Sequence, residues 1–317
     1  MIDPKAIEAV LAKFVPLIQA HRETTSTPYV LGLSGLQGSG KSTWAAALSG
    51  ALIAQHGLKT RILSLDDLYS DHADLVALRE ANPDNGLLQT RGQPGTHDET
   101  LAREFFHQVL AVNSNNSPEA FIKWPAYDKS LHSGQGGRVP PEQWDKVPAS
   151  QGLDVLIFEG WCLGFQPLDK EQVRQKWEED KATITGGEPQ SEESQLIQTL
   201  ASHDLGHLLL INDNLGRYCD SFAGPKHFDG FLHLSTDKLI HVYEWRLDQE
   251  KALRKHKPGM TDEQVIQFVR GYMPAYELFL GRLQEENFFK EDGVGSKMHV
   301  QIVLNKGREV VQVKELE

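Results

Sequence analysis

The stretch Gly35-Leu36-Gln37-Gly38-Ser39-Gly40-Lys41-Ser42 carries the most specific chemistry in the chain. It matches G-x-x-x-x-G-K-[ST], the pattern of a loop that holds the phosphates of a nucleotide. Gly35, Gly38 and Gly40 let the backbone fold tightly enough to point successive N–H groups at phosphate oxygens, and a helix beginning near Lys41 adds its positive amino-terminal field. Lys41 would neutralise the β and γ phosphates, and Ser42 would take one position on Mg²⁺. Gln37, Ser39 and Thr43 complete the same nucleotide-binding set. A guanine reader of the form N/T-K-x-D is missing, since Leu304-Asn305-Lys306-Gly307 lacks the aspartate, so ATP is the expected nucleotide.

Two later stretches, Asp66-Asp67-Leu68-Tyr69 and Glu159-Gly160-Trp161, place acids at the ends of apolar runs. Phosphoryl transfer to a hydroxyl needs in-line positioning, charge neutralisation and an acceptor for the hydroxyl proton. Asp66 is the candidate base, with Asp67 as an alternate or a water-mediated Mg²⁺ ligand. Glu159 needs a reason to end an apolar strand, and holding Mg²⁺ is one. A water-activating glutamate would ordinarily follow an aspartate; Phe158 stands there, which favours transfer over hydrolysis. The plain alternatives are a capped turn for the aspartates and a structural pairing for Glu159.

Between these acids lies Arg91-Gly92-Gln93-Pro94-Gly95-Thr96-His97-Asp98, dense in hydrogen-bonding groups. Arg91 suits a carboxylate or phosphate held by two N–H bonds, and His97 or Asp98 suits hydroxyls, while Thr96 or Asp98 would equally cap the next helix. Tyr127-Asp128-Lys129-Ser130, with Arg138 beyond, forms a second mixed-charge loop, and Tyr69 joins the same acceptor set. Farther on, Glu244 to Arg254 reads as a helix of alternating charge. Arg246, as a catalytic cation, and Arg254 would close it over the triphosphate as a lid; the alternative is a surface helix laced by i,i+4 pairs. Trp245 reads as a packing residue.

Strand ends must position these groups. Tyr29 to Ser34 reads as a buried strand feeding the glycine loop, Thr43 to Gln55 as a helix ending at Gly57, and Thr60 to Leu65 as the next strand. Asp154 to Phe158, Phe228 to Leu234, Met298 to Leu304 and Glu309 to Val313 read as further strands, with an extended piece at Phe121 to Pro125 and a hairpin-like turn at Gly134 to Gly137. Helices are expected from His97 or Asp98 to Leu110, from Leu196 to Leu210 with a polar break at Asn212-Asp213-Asn214, from Asp237 to Leu253, and after a capping box at Thr261. The strands ending in Asp66 and Glu159 are expected to flank the first. Residues 1–317 read as one domain, with an amphipathic helix over 3–20 and a charged surface insertion or loop over 169–194. The expected class is α/β: a P-loop nucleoside triphosphate hydrolase fold with a mostly parallel central sheet, helices on both faces and a helical lid.

Composition agrees, with 39% hydrophobic and 24% charged residues in a chain of 317, ordinary values for a globular protein. The formal charge of −12, with scattered lysines, argues against a nucleic-acid partner, and no apolar run reaches the length of a membrane span. Cys162 and Cys219 lack metal-ligand spacing and read as reduced thiols. The cytoplasm is the expected compartment, with the nucleus second; a small hydroxylated metabolite is the expected partner and a monomer the favoured state.

Taken together, GLQGSGKS, LSLDDLY, RGQPGTHD, YDKS, FEGWCLGF, EWRLDQEKALR and GYMPAYE resemble the D-glycerate 3-kinase family, including its fungal kinase-like branch, over roughly Tyr29 to Glu317. That family is similar to the phosphoribulokinase, uridine kinase and pantothenate kinase group. The resemblance implies an ATP- and Mg²⁺-dependent kinase whose base matches Asp66, with Leu68 replacing the more usual phenylalanine of the motif. It also implies Lys41 and Ser42 at the phosphates and Mg²⁺, and Arg246 with Arg254 in the lid. Arg91, His97, Asp98, Tyr127, Asp128, Lys129 and Arg138 match the motifs around the acceptor. Gln37 and the 169–194 segment depart from the plant enzymes. The expected function is transfer of the γ-phosphoryl group of ATP to a small metabolite's hydroxyl, with D-glycerate giving 3-phosphoglycerate as the leading case. An ATP-hydrolysing switch or chaperone without an acceptor is the alternative.

Overall fold

The computed structural model describes residues 2–114, 119–186, 191–256, 259–290 and 297–317. The strands are β1 (Tyr29–Gly35), β2 (Thr60–Ser64), β3 (Phe121–Trp124), β4 (Tyr127–Asp128), β5 (Gly137–Arg138), β6 (Asp145–Pro148), β7 (Val155–Gly160), β8 (Gly230–Thr236), β9 (Met298–Leu304) and β10 (Val310–Leu316). The longer helices are α1 (Pro4–Thr24), α2 (Lys41–His56), α3 (His72–Ala81), α4 (Glu99–Leu110), α5 (Lys170–Thr185), α6 (Glu192–Ile197), α7 (Leu205–Tyr218), α8 (His241–Arg254) and α9 (Asp262–Arg270).

Six strands make one sheet in the order β10-β9-β8-β1-β7-β2, parallel throughout except where β10 turns back on β9. β1, β7 and β8 are buried from end to end. That is why they read as unbroken apolar runs: a parallel strand is covered on both faces and has no polar side to alternate with. α1 is capped by Asp3, which accepts from Lys5 N–H at 3.0 Å, and it buries Val10, Leu11, Phe14 and Ile18. Such a cap contributes about 1 kcal/mol; the buried face does more to hold the helix.

The strand order departs from expectation at a place that matters. β7 lies directly beside β1, with Leu33 opposite Glu159, whereas β2 sits one strand farther out with Ser64 opposite Glu159. Glu159 therefore arrives next to the glycine loop, and the chain after β2 must reach inward. It does so through the 3₁₀ turn Leu65–Leu68, anchored by buried Leu65 and Leu68.

Three segments read differently in three dimensions. α3 fills a stretch whose sequence is merely polar: Asp71 bonds His72 N–H at 2.8 Å to start it, and Leu75 is its buried side chain, too little apolar signal to mark a helix. The Asn212-Asp213-Asn214 triplet does not break α7. Asn212 accepts from Leu168 N–H at 2.8 Å and donates to Leu168 O at 2.9 Å, while Asn214 donates to Pro94 O at 2.8 Å, so these buried amides fasten two loops to the helix. The charged stretch 169–194 is not a loop over most of its length. Asp169 and Gln172 close a capping box that opens α5, and buried Val173 docks it; Gly187, Glu188, Pro189 and Gln190 lie outside the described residues. The expected hairpin turn joins β4 to β5, and the extended piece at Phe121 pairs with β6. Residues 115–118, and Lys257 and Pro258 after α8, are also outside the described set. Among the described residues no helix is long and apolar enough to cross a membrane. Both cysteines are free thiols, Cys162 buried and Cys219 partly so.

Candidate active site

β1 delivers Gly35 to the loop and α2 begins at Lys41. Gly38 (φ +76°) and Gly40 (φ +93°) occupy the left-handed region that side chains disfavour. A Cβ on Gly38 would lie 2.7 Å from Trp245 Cβ and 2.9 Å from the Trp245 carbonyl carbon, so glycine also permits the close approach of α8. Lys41 Nζ donates to Leu36 O at 3.3 Å, which folds it over the loop. Burial pushes its pKa down against the opposing fields of Glu159 and Asp66, and the net direction is down.

Ser42 Oγ donates to Glu159 Oε1 at 3.0 Å, and Glu159 is 6% exposed. This hydroxyl and carboxylate are the hard oxygen donors that Mg²⁺ prefers when phosphates and water supply the remaining ligands. The buried Ser39 hydroxyl has no hydrogen-bond partner among the described residues, an unmet need that a phosphate oxygen would fill. The loop and its neighbours thus fit a nucleotide with its metal. Among the described residues no group of three or more His, Cys, Asp or Glu side chains forms an all-protein metal cage.

Asp66 sits in the inward-reaching turn and forms an ion pair with Lys129. Burial would raise its pKa, but Lys129, helped by Lys41, outweighs burial and holds the carboxyl below its usual range. Asp67 faces a different task. Its carboxylate accepts from Ser64 N–H at 3.4 Å, closing a capping box on the turn, and burial pushes its pKa up to about 6. The group expected as a metal ligand is therefore engaged as a cap.

The Arg91–Asp98 loop and the Tyr127–Arg138 hairpin meet. Arg91 Nη1 donates to Gly134 O at 2.9 Å and also to Gln135 O, with its guanidinium 5.8 Å from the Tyr127 ring centroid. Tyr69 is buried between the two, stacked on His97 at 4.3 Å and tilted against Tyr127 at 5.3 Å. Other expected acceptor ligands bond within the protein. Asp98 Oδ1 caps α4 through Leu101 N–H at 2.9 Å while its Oδ2 accepts from Arg138 Nη2 at 2.8 Å. Arg138 also donates to Tyr69 O at 3.2 Å, so it shapes the site from behind. Asp128 Oδ1 accepts from Ser130 N–H at 2.8 Å and Ser130 Oγ at 2.6 Å, forming the turn that aims Lys129.

The proposed lid cations are likewise paired. Arg246 Nη2 lies 3.2 Å from buried Glu250 and Nη1 donates to Gln249 at 2.8 Å, while Arg254 joins Asp262 across α8 and α9. Trp245 is fully buried and donates to Lys306 O at 2.7 Å, a packing residue as expected. The arginine that touches the glycine loop is one the sequence does not single out: Arg308 Nε donates to Gly38 O at 2.8 Å and its Nη2 to Trp245 O at 2.9 Å. Also unforeseen is the work of GYMPAYE. Tyr276 Oη accepts from Gln37 N–H at 3.2 Å and Tyr272 Oη donates to Arg91 O at 3.4 Å, so the motif braces the phosphate loop and the acceptor loop together. Trp161 Nε1 adds a bond to Gly92 O at 3.2 Å.

A nucleotide loop backed by the acidic end of β7, with Asp66 in the field of Lys41 and paired to Lys129 of the second mixed-charge loop, belongs to the class of ATP-dependent small-molecule kinases. No family model matches the chain. The "Uncharacterized kinase mug58" of Schizosaccharomyces pombe is 37% identical over 283 residues, spanning 89% of this chain and 91% of that protein. The "Probable ATP-dependent kinase TDA10" of Saccharomyces cerevisiae is 32% identical over 311 residues, 96% of this chain and 93% of that one. The chloroplastic D-glycerate 3-kinase of Arabidopsis thaliana is 34% identical over 260 residues, 82% of this chain but 49% of the plant enzyme. The solved D-glycerate 3-kinase from Cryptococcus neoformans superposes with a TM-score of 0.83 at 29% identity, covering 99% of this chain and 100% of that one. The chain belongs to the D-glycerate 3-kinase family, in the fungal kinase branch that includes mug58 and TDA10.

Proposed function

We propose that this kinase phosphorylates a small hydroxy acid, with D-glycerate giving 3-phosphoglycerate as the leading case, and that it works with Mg²⁺ held by Ser42 and Glu159. The observation that carries the reading is the ionised Asp66, paired with Lys129 and within the field of Lys41, in a turn that reaches toward the glycine loop. Asp66 takes the proton of the acceptor hydroxyl as that oxygen bonds to the γ phosphorus and the bond to ADP breaks. Lys41 and the loop N–H groups hold the β and γ phosphates, and bound Mg²⁺ supplies further neutralisation of phosphate charge. Arg91 and Lys129 bring positive charge to the acceptor side, which favours an acceptor bearing a carboxylate. The names of the Arabidopsis and Cryptococcus relatives support glycerate as that acid.

The test is incubation with ATP, Mg²⁺ and a panel of hydroxy acids, sugars and nucleosides, read by phosphorus NMR. A new phosphate ester with D-glycerate that disappears in Asp66→Asn is the expected result. Free phosphate alone, independent of every acceptor and unchanged by Asp66→Asn, overturns the proposal.

A further inference from the structure

Tyr218 ends α7 with 1% of its surface exposed, and its hydroxyl lies against the acceptor loop. Three groups converge on its oxygen: Gly95 N–H at 2.7 Å, His97 N–H at 2.9 Å and His97 Nδ1 at 2.9 Å. A phenol oxygen has two lone pairs and one proton. The two backbone N–H groups can only donate, so they fill the lone pairs. The phenol proton must then go to the remaining partner, His97 Nδ1. Were Nδ1 itself protonated, three donors would compete for two lone pairs and the phenol O–H would be stranded in the core. A neutral imidazole that accepts at Nδ1 carries its hydrogen on Nε2.

That hydrogen has no use within the protein. Nε2 is buried without a partner among the described residues, on a ring that is 4% exposed and stacked on Tyr69. Burial drives the imidazole pKa down to about 3, against the pull of Asp66, so the ring remains neutral wherever the kinase is folded near neutral pH. A neutral ring does not compete with Asp66 for the hydroxyl proton, and its remaining N–H can only donate.

We propose that Tyr218 is a positioning residue that locks His97 in the Nε2–H tautomer, and that this N–H binds an oxygen of the acceptor molecule beside the hydroxyl that Asp66 deprotonates. The second half rests on the acceptor site proposed above; the first half does not. The chemistry selects acceptors with a carboxylate or hydroxyl oxygen next to the reacting carbon, since an analogue without it leaves a buried donor unpaired.

The first measurement is a long-range proton–nitrogen NMR correlation on the ¹⁵N-labelled full chain, with His97 assigned through His97→Gln. The expected wild-type pattern is the Nε2–H tautomer with Nδ1 accepting a hydrogen bond, and folded Tyr218→Phe should shift the Nδ1 signal to that of an acceptor that has lost its donor. An Nδ1–H pattern in the wild type, or an unmoved pattern in folded Tyr218→Phe, overturns the lock. If Tyr218→Phe does not fold, the wild-type pattern decides alone. The second measurement is steady-state kinetics with D-glycerate. Loss of the oriented donor in Tyr218→Phe should raise KM for D-glycerate about tenfold while KM for ATP stays within about twofold. His97→Gln, whose amide N–H reaches the Nε2 position, should retain more activity than His97→Asn, whose amide reaches only Nδ1. Equal KM values for D-glycerate in wild type and Tyr218→Phe, or equal loss in both His97 variants, overturns the acceptor contact. Should D-glycerate not be a substrate at all, the function proposed above fails while the NMR result still decides the lock.

Discussion

Ser42 Oγ donates to Glu159 Oε1 at 3.0 Å, so one hydrogen bond joins the first turn of α2 to the carboxyl end of β7. The contact exists because β7 is the immediate neighbour of β1, the strand that feeds the glycine loop. Glu159→Gln keeps an oxygen that can accept from Ser42 but removes the charge that would hold Mg²⁺. The expected outcome is a fall in kcat on the order of 100-fold and a higher Mg²⁺ concentration for half-maximal rate, with the circular dichroism spectrum unchanged. An unaltered Mg²⁺ titration would detach Glu159 from the metal.

Asp66→Asn should lower kcat by roughly 10² to 10⁴, the range for loss of a general base, and leave KM for ATP within about twofold. Lys129→Met makes a complementary change. With burial then unopposed by the Lys129 ammonium, the Asp66 pKa rises. Because the base must be ionised, the acid limb of kcat/KM should move to higher pH, and a pH–rate profile that stays in place in Lys129→Met would exclude their coupling.

Gly38→Ala sets a side chain at φ +76° and presses its Cβ onto the backbone of α8 at Trp245. The neighbours are Trp245 Cβ and main-chain atoms of α8, none of which can rotate away, so a loss of about 1–3 kcal/mol of stability is expected. Thermal melts should show it, and calorimetric titration should show weakened ATP binding, because Arg308 holds Gly38 O in place.

Glu277 accepts from Thr199 N–H at 2.9 and 3.1 Å and also from the Thr199 hydroxyl, yet burial pushes its pKa up to about 7. An unfolded glutamate releases its proton at about pH 4.3. Between those values the folded chain binds more protons, so this group's contribution to stability falls as pH rises through the window. Glu277→Gln should flatten the pH dependence of Tm between about pH 5 and 7, by on the order of 1 kcal/mol across it. A parallel pair of Tm profiles for wild type and variant would refute the assignment.

Much of the fold is legible in local chemistry. The glycine loop, the runs that become β1 and β7, and the capping box at Thr261 depend on φ values, double-sided burial and contacts within a few residues. α5 and α3 escape such reading because each rests on little buried apolar surface and is held by caps and tertiary contacts. The candidate base and metal pair could be named from their places at strand ends, but their usable geometry could not, because β7 intervenes between β1 and β2.

The amino-acid sequence by itself determined that a phosphate loop would form, and which acids and cations stood available around it. Only the tertiary structure decided their employment. Asp98 and Arg138 satisfy each other, Arg254 of α8 pairs with Asp262 of α9, and Arg308 reaches a carbonyl 270 residues away at Gly38. Tyr218 likewise meets His97 across 121 residues. The reason is physical: a carboxylate or N–H takes whichever partner the packed core brings within 3 Å, and that proximity depends on strand order and helix docking.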